Sequence, residues 1–247
     1  MSFFNNRHGW SCDNVIAFEL ILPNSTIVRI SSTSHPDLFF ALRGGGNNFG
    51  IVTHFTLDTF PQGPVWDLGE VFPIEDAAII FSELEDEART PDLDCMVLVV
   101  VNWIGVVGQF KITRKSVYTS PQKSSHYSPR SVMGSRQFVK EGWANISDVS
   151  KEMDEMNPSG FYQVYASFTV KNSAAMNLRV MKTFMEEVEN IKNASGTLIS
   201  LVFNPLTKET IRLMERRGGN GFGILEIDGP LTSTYKPNSS YTENKPS

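Results

Sequence analysis

The apolar and polar positions divide the chain into short segments, most of strand length. Residues 14–22 (NVIAFELIL) and 26–30 are apolar runs separated by the turn triplet Pro23-Asn24-Ser25, which predicts a hairpin. Residues 34–43 (SHPDLFFALR) predict a short helix: Ser34 can cap it, Pro36 suits its first turn and Asp37 complements its dipole. Gly44-Gly45-Gly46 ends that helix, because glycine takes positive φ without steric cost. Residues 49–57 then alternate as a strand.

The string FPQGP at 60–64 interrupts the pattern and predicts a domain boundary after residue 63. Beyond it, 66–72 reads as a strand, and Ile74, Ala77, Ala78, Phe81, Leu84 and Ala88 follow helical spacing. Residues 95–101 and 106–113 predict two strands joined by a tight Asn-Trp-Ile-Gly connection, and 118–136, rich in Ser, Pro and basic residues, predicts a long loop. In 161–170, Tyr162, Val164, Ala166, Phe168 and Val170 share one strand face, and Gln163, Tyr165, Ser167 and Thr169 the other. Ser173 caps a predicted helix with the stripe Met176, Val180, Phe184, Val188 and Ile191. A strand over 198–203 and a short helix over 207–217 follow. This order predicts an α+β fold, an antiparallel sheet with helices on one face. Residues 232–247 lack any aliphatic side chain and are dense in Ser, Thr, Asn, Pro and Lys, so they are expected to be a disordered tail.

Composition narrows the picture. The chain has 247 residues, 40% of them hydrophobic, enough for one or two cores. The formal net charge of -5, with no offsetting basic block, argues against a nucleic-acid partner. Cys12 and Cys95 lie in no zinc or C-x-x-C spacing, so no metal is expected, and two isolated cysteines do not establish a disulfide. No stretch approaches the roughly 18–20 apolar residues of a membrane helix, and residues 1–9 lack a signal-peptide core, so the chain as written is expected to be cytoplasmic. Sequons at Asn24, Asn145, Asn193 and Asn238 would suit a secreted ancestor, although such tripeptides also arise by chance. The acidic run Glu83, Glu85, Asp86 and Glu87 reads as a solvated helix face.

Two glycine-rich strings invite a nucleotide-loop reading and fail it. In Arg43–Gly50 (RGGGNNFG), Phe49 stands where the last glycine of G-x-G-x-x-G belongs, and Ile51 and Val52 stand where a P-loop needs Lys and Ser/Thr. The string also follows a helix and precedes a strand, the reverse of the order that aims a helix N-terminus at phosphate. Residues 218–223 (GGNGFG) fail the same tests. No G-x-S-x-G or H-E-x-x-H occurs, and His8, His35, His54 and His126 lie in unrelated contexts, so no catalytic residue is assigned.

Several strings in order resemble one family. Residues 2–4 (SFF), 7–15 (RHGWSCDNV), 35–53 (HPDLFFALRGGGNNFGIVT), 157–160 (NPSG), 186–188 (EEV), 218–220 (GGN) and 228–231 (DGPL) are similar to segments of berberine-bridge-enzyme-like FAD-linked oxidoreductases, of fungal type, in the vanillyl-alcohol-oxidase superfamily. The resemblance implies the second half of a PCMH-type FAD-binding domain over 1–63, then a substrate domain over 64–231 with an antiparallel sheet. It implies a flavoprotein that moves hydride from an alcohol, sugar or natural-product intermediate to FAD, in fungi often for secondary metabolism. Carried over by residue, Gly9, Cys12, Asn14, Val15 and Ile16 are the cofactor-binding candidates, and Gln163 and Tyr165 the substrate-facing ones. The family's pyrophosphate loop and flavin-tethering histidine have no counterpart here, so FAD would be non-covalent and the chain alone is expected not to hold it tightly. Full-length relatives are often secreted. A catalytically inactive fragment, or a flavin-free binding module, are the alternatives that follow. A small-molecule substrate is the implied partner, and oligomeric state is not implied.

Overall fold

A computed structural model describes residues 2–120, 135–155, 161–192 and 198–241, with 161–164, 198 and 235–241 described by backbone alone. The chain forms two compact units. One comprises Met1–Gln62 and Thr207–Gly229, and the other Gly63–Leu206 and Pro230–Ser247. The division falls after Gln62, and Thr207–Gly229 groups with the first unit rather than with Gly63–Leu206.

The first unit begins with helix α1 (Asn5–His8), a 3-10 turn over Ser11–Asn14 and strand β1 (Val15–Ile21). β1 is the centre of a three-stranded antiparallel sheet between β2 (Ile27–Ser31) and β3 (Ile51–Leu57), so the predicted hairpin is present. Helix α2 (Pro36–Leu42) packs Phe39 against Phe18, Leu20 and Ile30. Ser34 does not cap α2. The N-cap is His35 in the left-handed conformation, and the Ser34 hydroxyl donates to the Arg29 carbonyl at 3.2 Å.

The second unit holds a seven-stranded antiparallel sheet. Its strands in chain order are β4 (Val65–Pro73), β5 (Cys95–Ile104), β6 (Gln109–Tyr118), β7 (Phe138–Ala144), β8 (Phe161–Lys171), β9 (Leu198–Leu206) and β10 (Leu231–Tyr241). Their spatial order is β7-β4-β6-β5-β9-β10-β8. Helices α3 (Ala77–Arg89) and α5 (Ala174–Glu189) cover one face, where Ile80, Phe81, Leu84, Met181, Phe184 and Val188 meet Val97, Val99, Val101, Ile112, Leu201 and Phe203. Ser173 caps α5 as expected by accepting from Met176 N, while Met181 rather than Val180 sits at the buried centre of the stripe. Helix α4 (Ile146–Glu155) and strand β7 were not predicted. The β5–β6 turn lies at 105–108, three residues beyond the predicted connection, because Asn102, Trp103 and Ile104 continue the ladder opposite Lys111, Phe110 and Gln109. Residues 121–134 of the predicted long loop lie outside the described residues.

The polar segment expected to be disordered is a strand as far as Tyr241. β10 lies between β8 and β9 and pairs with both. Thr232 and Thr234 are fully buried, and their hydroxyls donate to Asn172 Oδ1 at 2.7 Å and the Phe168 carbonyl at 3.1 Å. Threonine suits a pleated, half-buried surface, and a satisfied hydroxyl removes the penalty of burying it. Residues 242–247 lie outside the described residues.

Helix α6 (Lys208–Met214) in the first unit is capped by Thr207, whose hydroxyl accepts from Thr210 N. It ends before the predicted residue 217 because Arg217 takes a left-handed conformation, φ 55°. Among the described residues, no helix is long and apolar enough to cross a membrane, and no group of three metal-ligating side chains forms.

Candidate functional site

The 9–16 segment is organised around Asp13, which is almost fully buried. Its Oδ2 accepts from Trp10 N at 2.8 Å and its Oδ1 from Asn220 Nδ2 at 2.8 Å. Its carbonyl accepts from Arg217 Nη1 at 3.1 Å. Asn14 closes the turn by donating through Nδ2 to the carbonyls of His8 and Trp10 at 2.8 and 2.9 Å. Gly9 sits at φ +74°, and a Cβ there would lie 3.0 Å from Asp13 Oδ2, so glycine is required both for its conformation and for space.

The five cofactor candidates thus share one short stretch but differ in what they offer. The Asn14 carbonyl is taken by Asp58 N at 2.9 Å. Val15 is buried and pairs with Leu57. Ile16 is the bulged residue: the register with β3 steps from Val15 to Ala17, and the register with β2 starts at Ala17. Its main chain therefore stands outside both ladders while its side chain is 38% exposed. Burial, reinforced by the neighbouring Asp13 carboxylate, pushes the Cys12 thiol up to about 11. Both cysteines are free, and Cys12 stays protonated at neutral pH, where it can pack against a ligand but not attack one.

The 216–221 loop that carries Asn220 is held by Arg43, whose side chain is fully buried. Arg43 Nη1 donates to the Arg216 carbonyl at 3.0 Å, and Nη2 to the carbonyls of Arg217, at 2.9 Å, and Gly219. The guanidinium lies over the Phe39 ring, 4.5 Å from its centroid. The Arg43 carbonyl in turn accepts from Gly221 N at 2.9 Å. Gly44, at φ +117°, lies against Phe222, which a Cβ would approach to 2.9 Å. The two glycine-rich strings therefore grip each other, a contact no spacing rule reveals.

In the second unit, the sheet face opposite α3 and α5 carries polar side chains in a row. Ser200 Oγ donates to Asn102 Oδ1 at 2.7 Å, and Asn102 Nδ2 donates to Thr113 Oγ1 at 3.2 Å, linking β9, β5 and β6. Asn204, buried on the same side of β9, leaves its Oδ1 without a hydrogen-bond partner. Tyr165 is 56% exposed on β8, opposite Pro237 in the register, and its face is shared with Gln163, for which only backbone is described. Sequence reasoning missed Asn102, Thr113, Ser200 and Asn204. The alternation of β9 around them was a signal, but strand pairing across about 100 residues was not. Further along this face, Lys115 Nζ bonds Asp67 at 2.8 Å and Glu152 of α4 at 3.1 Å, so its charge is neutralised locally.

Comparison with known proteins agrees with this architecture. No family model matches the chain. It is 30% identical over 246 residues to the FAD-dependent monooxygenase tpcD of Cochliobolus heterostrophus, covering 94% of this chain and 47% of that protein. It is 31% identical over 246 residues to the FAD-dependent monooxygenase FUP4 of Fusarium proliferatum, with the same coverage. Its fold matches the glucooligosaccharide oxidase of Acremonium strictum with a TM-score of 0.72 at 18% identity, over all of this chain and 54% of that one. The chain spans about half the length of the curated relatives it matches.

Proposed function

We propose that this chain, which belongs with the FAD-linked oxidoreductases in sequence and fold, contributes a main-chain contact for FAD and a substrate-facing sheet to hydride transfer from a small hydroxylated molecule. The observation that carries this reading is the bulge at Ile16. It leaves Ile16 out of both strand registers, with an exposed apolar side chain, near the start of β1. Backbone donors and acceptors beside an apolar side chain fit the edge of an aromatic heterocycle. The buried Trp10 Nε1 and Asn5 Oδ1 also lack partners, which adds unmatched polar capacity in the same unit.

When bound, FAD supplies the hydride acceptor. The chain's own residues bind and orient. Asn14 and Asp13 hold the turn that presents Ile16, and Gly9 lets that turn close. In the second unit, Ser200, Asn102 and Thr113 present a row of hydroxyl and amide groups suited to substrate hydroxyls, and Tyr165 adds an exposed phenol. Lys115 contributes no free charge, since Asp67 and Glu152 hold it. Service in a secondary-metabolite pathway is the biological setting suggested by the fungal relatives.

A fluorescence titration of FAD tests the reading. Saturable quenching by the chain, lost in Ile16→Asp with its circular dichroism unchanged, is the expected result. Quenching that Ile16→Asp leaves intact would place the cofactor elsewhere.

A further inference from the structure

The glycine-rich 218–223 string lies outside the 9–16 segment and the polar sheet face. Its geometry gives it a task. Asp13 uses its two carboxylate oxygens for different purposes: Oδ2 closes the local turn on Trp10 N, and Oδ1 is held by Asn220, 207 positions away. Asn220 is itself buried and oriented, because its Oδ1 accepts from Phe222 N at 3.1 Å. Arg217, from the same loop, adds a third hold on Asp13, at its carbonyl. Arg43 fixes the loop by its fan of bonds to the carbonyls of residues 216, 217 and 219. The bulge at Ile16 lies two residues after the 3-10 turn ends at Asn14.

We propose that Asp13 and Asn220 are positioning residues, and that the 216–221 loop is a clamp that sets the backbone of residues 10–16 for the cofactor. This rests on the reading that the segment faces FAD. If Asn220 is removed, Asp13 Oδ1 is left buried with only the weak donor Cys12 Sγ, at 3.8 Å. The carboxylate then turns to find a stronger one, and releases Trp10 N as it does so. The main chain that follows, through Asn14 to Ile16, loses its fixed start. Neither residue touches the cofactor; both act through the backbone between them.

The test compares wild type, Asn220→Ala, Asn220→Asp and the exchange Asp13→Asn/Asn220→Asp. The exchange restores one carboxylate and one amide across the contact. Two quantities are read on the full chain: amide hydrogen exchange in residues 10–16 without FAD, and FAD affinity by flavin fluorescence. Asn220→Ala is expected to speed exchange and weaken FAD binding about tenfold, one strong hydrogen bond's worth. Asn220→Asp, which opposes two buried carboxylates, should do more, and the exchange should recover both quantities to within about threefold of wild type. A merely structural role would lower the melting temperature of all variants without recovery in the exchange. Unchanged exchange in residues 10–16 in Asn220→Ala overturns the clamp. Wild-type FAD binding that Asn220→Ala leaves unaltered overturns the positioning role and leaves the functional reading standing. Wild-type protein without any saturable FAD response overturns the functional reading, and the positioning role with it, while the exchange data still decide whether the clamp exists.

Discussion

Arg114 and Lys115 are neighbours in β6, yet their side chains leave the sheet on opposite faces and enter separate carboxylate clusters. Arg114 pairs with Glu87, with Glu70 at 3.8 Å and with Glu83 at 3.9 Å, on the side of α3. Lys115 pairs with Asp67 and Glu152 on the other side, and Glu152 also holds Lys140 at 3.0 Å. Strand alternation dictates the opposite directions, and each buried cation needs its own counter-ions. The acidic run of α3 is thus not the solvated face expected from its composition. Two of its glutamates serve Arg114, and Glu85 accepts from Ala174 N at 2.6 Å at the start of α5. Burial pushes the Glu87 carboxyl up, with Arg114 opposing.

Removing one partner of a buried pair should cost far more than the pair is worth. Asp67→Ala leaves Lys115, itself nearly buried, with Glu152 alone. A loss of about 3 kcal/mol in unfolding free energy is expected, read from urea denaturation at neutral pH. A change within about 0.5 kcal/mol would show that Lys115 escapes to solvent.

Glu152 sets an acid limb. Its burial raises the carboxyl, but hydrogen bonds from Lys140 and Lys115 outweigh this and hold it below the ordinary value. A carboxylate depressed in the folded state contributes stability that is present above its unfolded value, about 4.3, and is lost as pH falls through the depressed one. Glu152→Gln should therefore lower stability near neutral pH and flatten its decline on acidification below about pH 5. Denaturation midpoints measured across that range check it. An acid limb as steep as wild type would contradict the assignment.

Cys12 gives a chemical readout of the Asp13 environment. With its thiol pushed up to about 11, roughly one molecule in a thousand carries the thiolate at pH 8. Alkylation by iodoacetamide in the native state should be slow and should accelerate through alkaline pH. Asp13→Asn, which removes the second cause of the shift, should speed it at pH 8. Cys95 is buried in the other unit and should react only on unfolding.

Arg43→Lys tests the grip between the two glycine-rich strings. Lysine keeps the charge but cannot reach three carbonyls with a planar fork or lie flat on Phe39. A destabilisation of about 2–4 kcal/mol is expected from the lost charge-assisted bonds, read by thermal melting. Wild-type stability in this variant would mean that the 216–221 loop holds itself.

Periodic segments were legible and long-range ones were not. The apolar runs of β1, β4, β5 and β9 and the Ser173 cap could be read locally, since each depends on residues a few positions apart. β10 could not, because beyond Leu231 its buried residues are Thr232 and Thr234, whose hydroxyls are satisfied by Asn172 and Phe168, sixty or more positions away. β7 is an edge strand with mostly exposed side chains and shows no burial signal. Among the candidate site residues, Gly9, Cys12, Asn14, Val15 and Ile16 came from resemblance. The partner that organises them, Asn220, lies in a string that motif rules had set aside.

The most direct test of the central claim is the visible difference spectrum of FAD on titration with the purified chain. Seating the heterocycle against the 9–16 segment removes it from water, so a saturable shift and sharpening of the blue-region flavin band is predicted, smaller in Ile16→Asp. A flavin spectrum that stays that of free FAD at saturating protein would contradict the claim that this chain builds part of a flavin site.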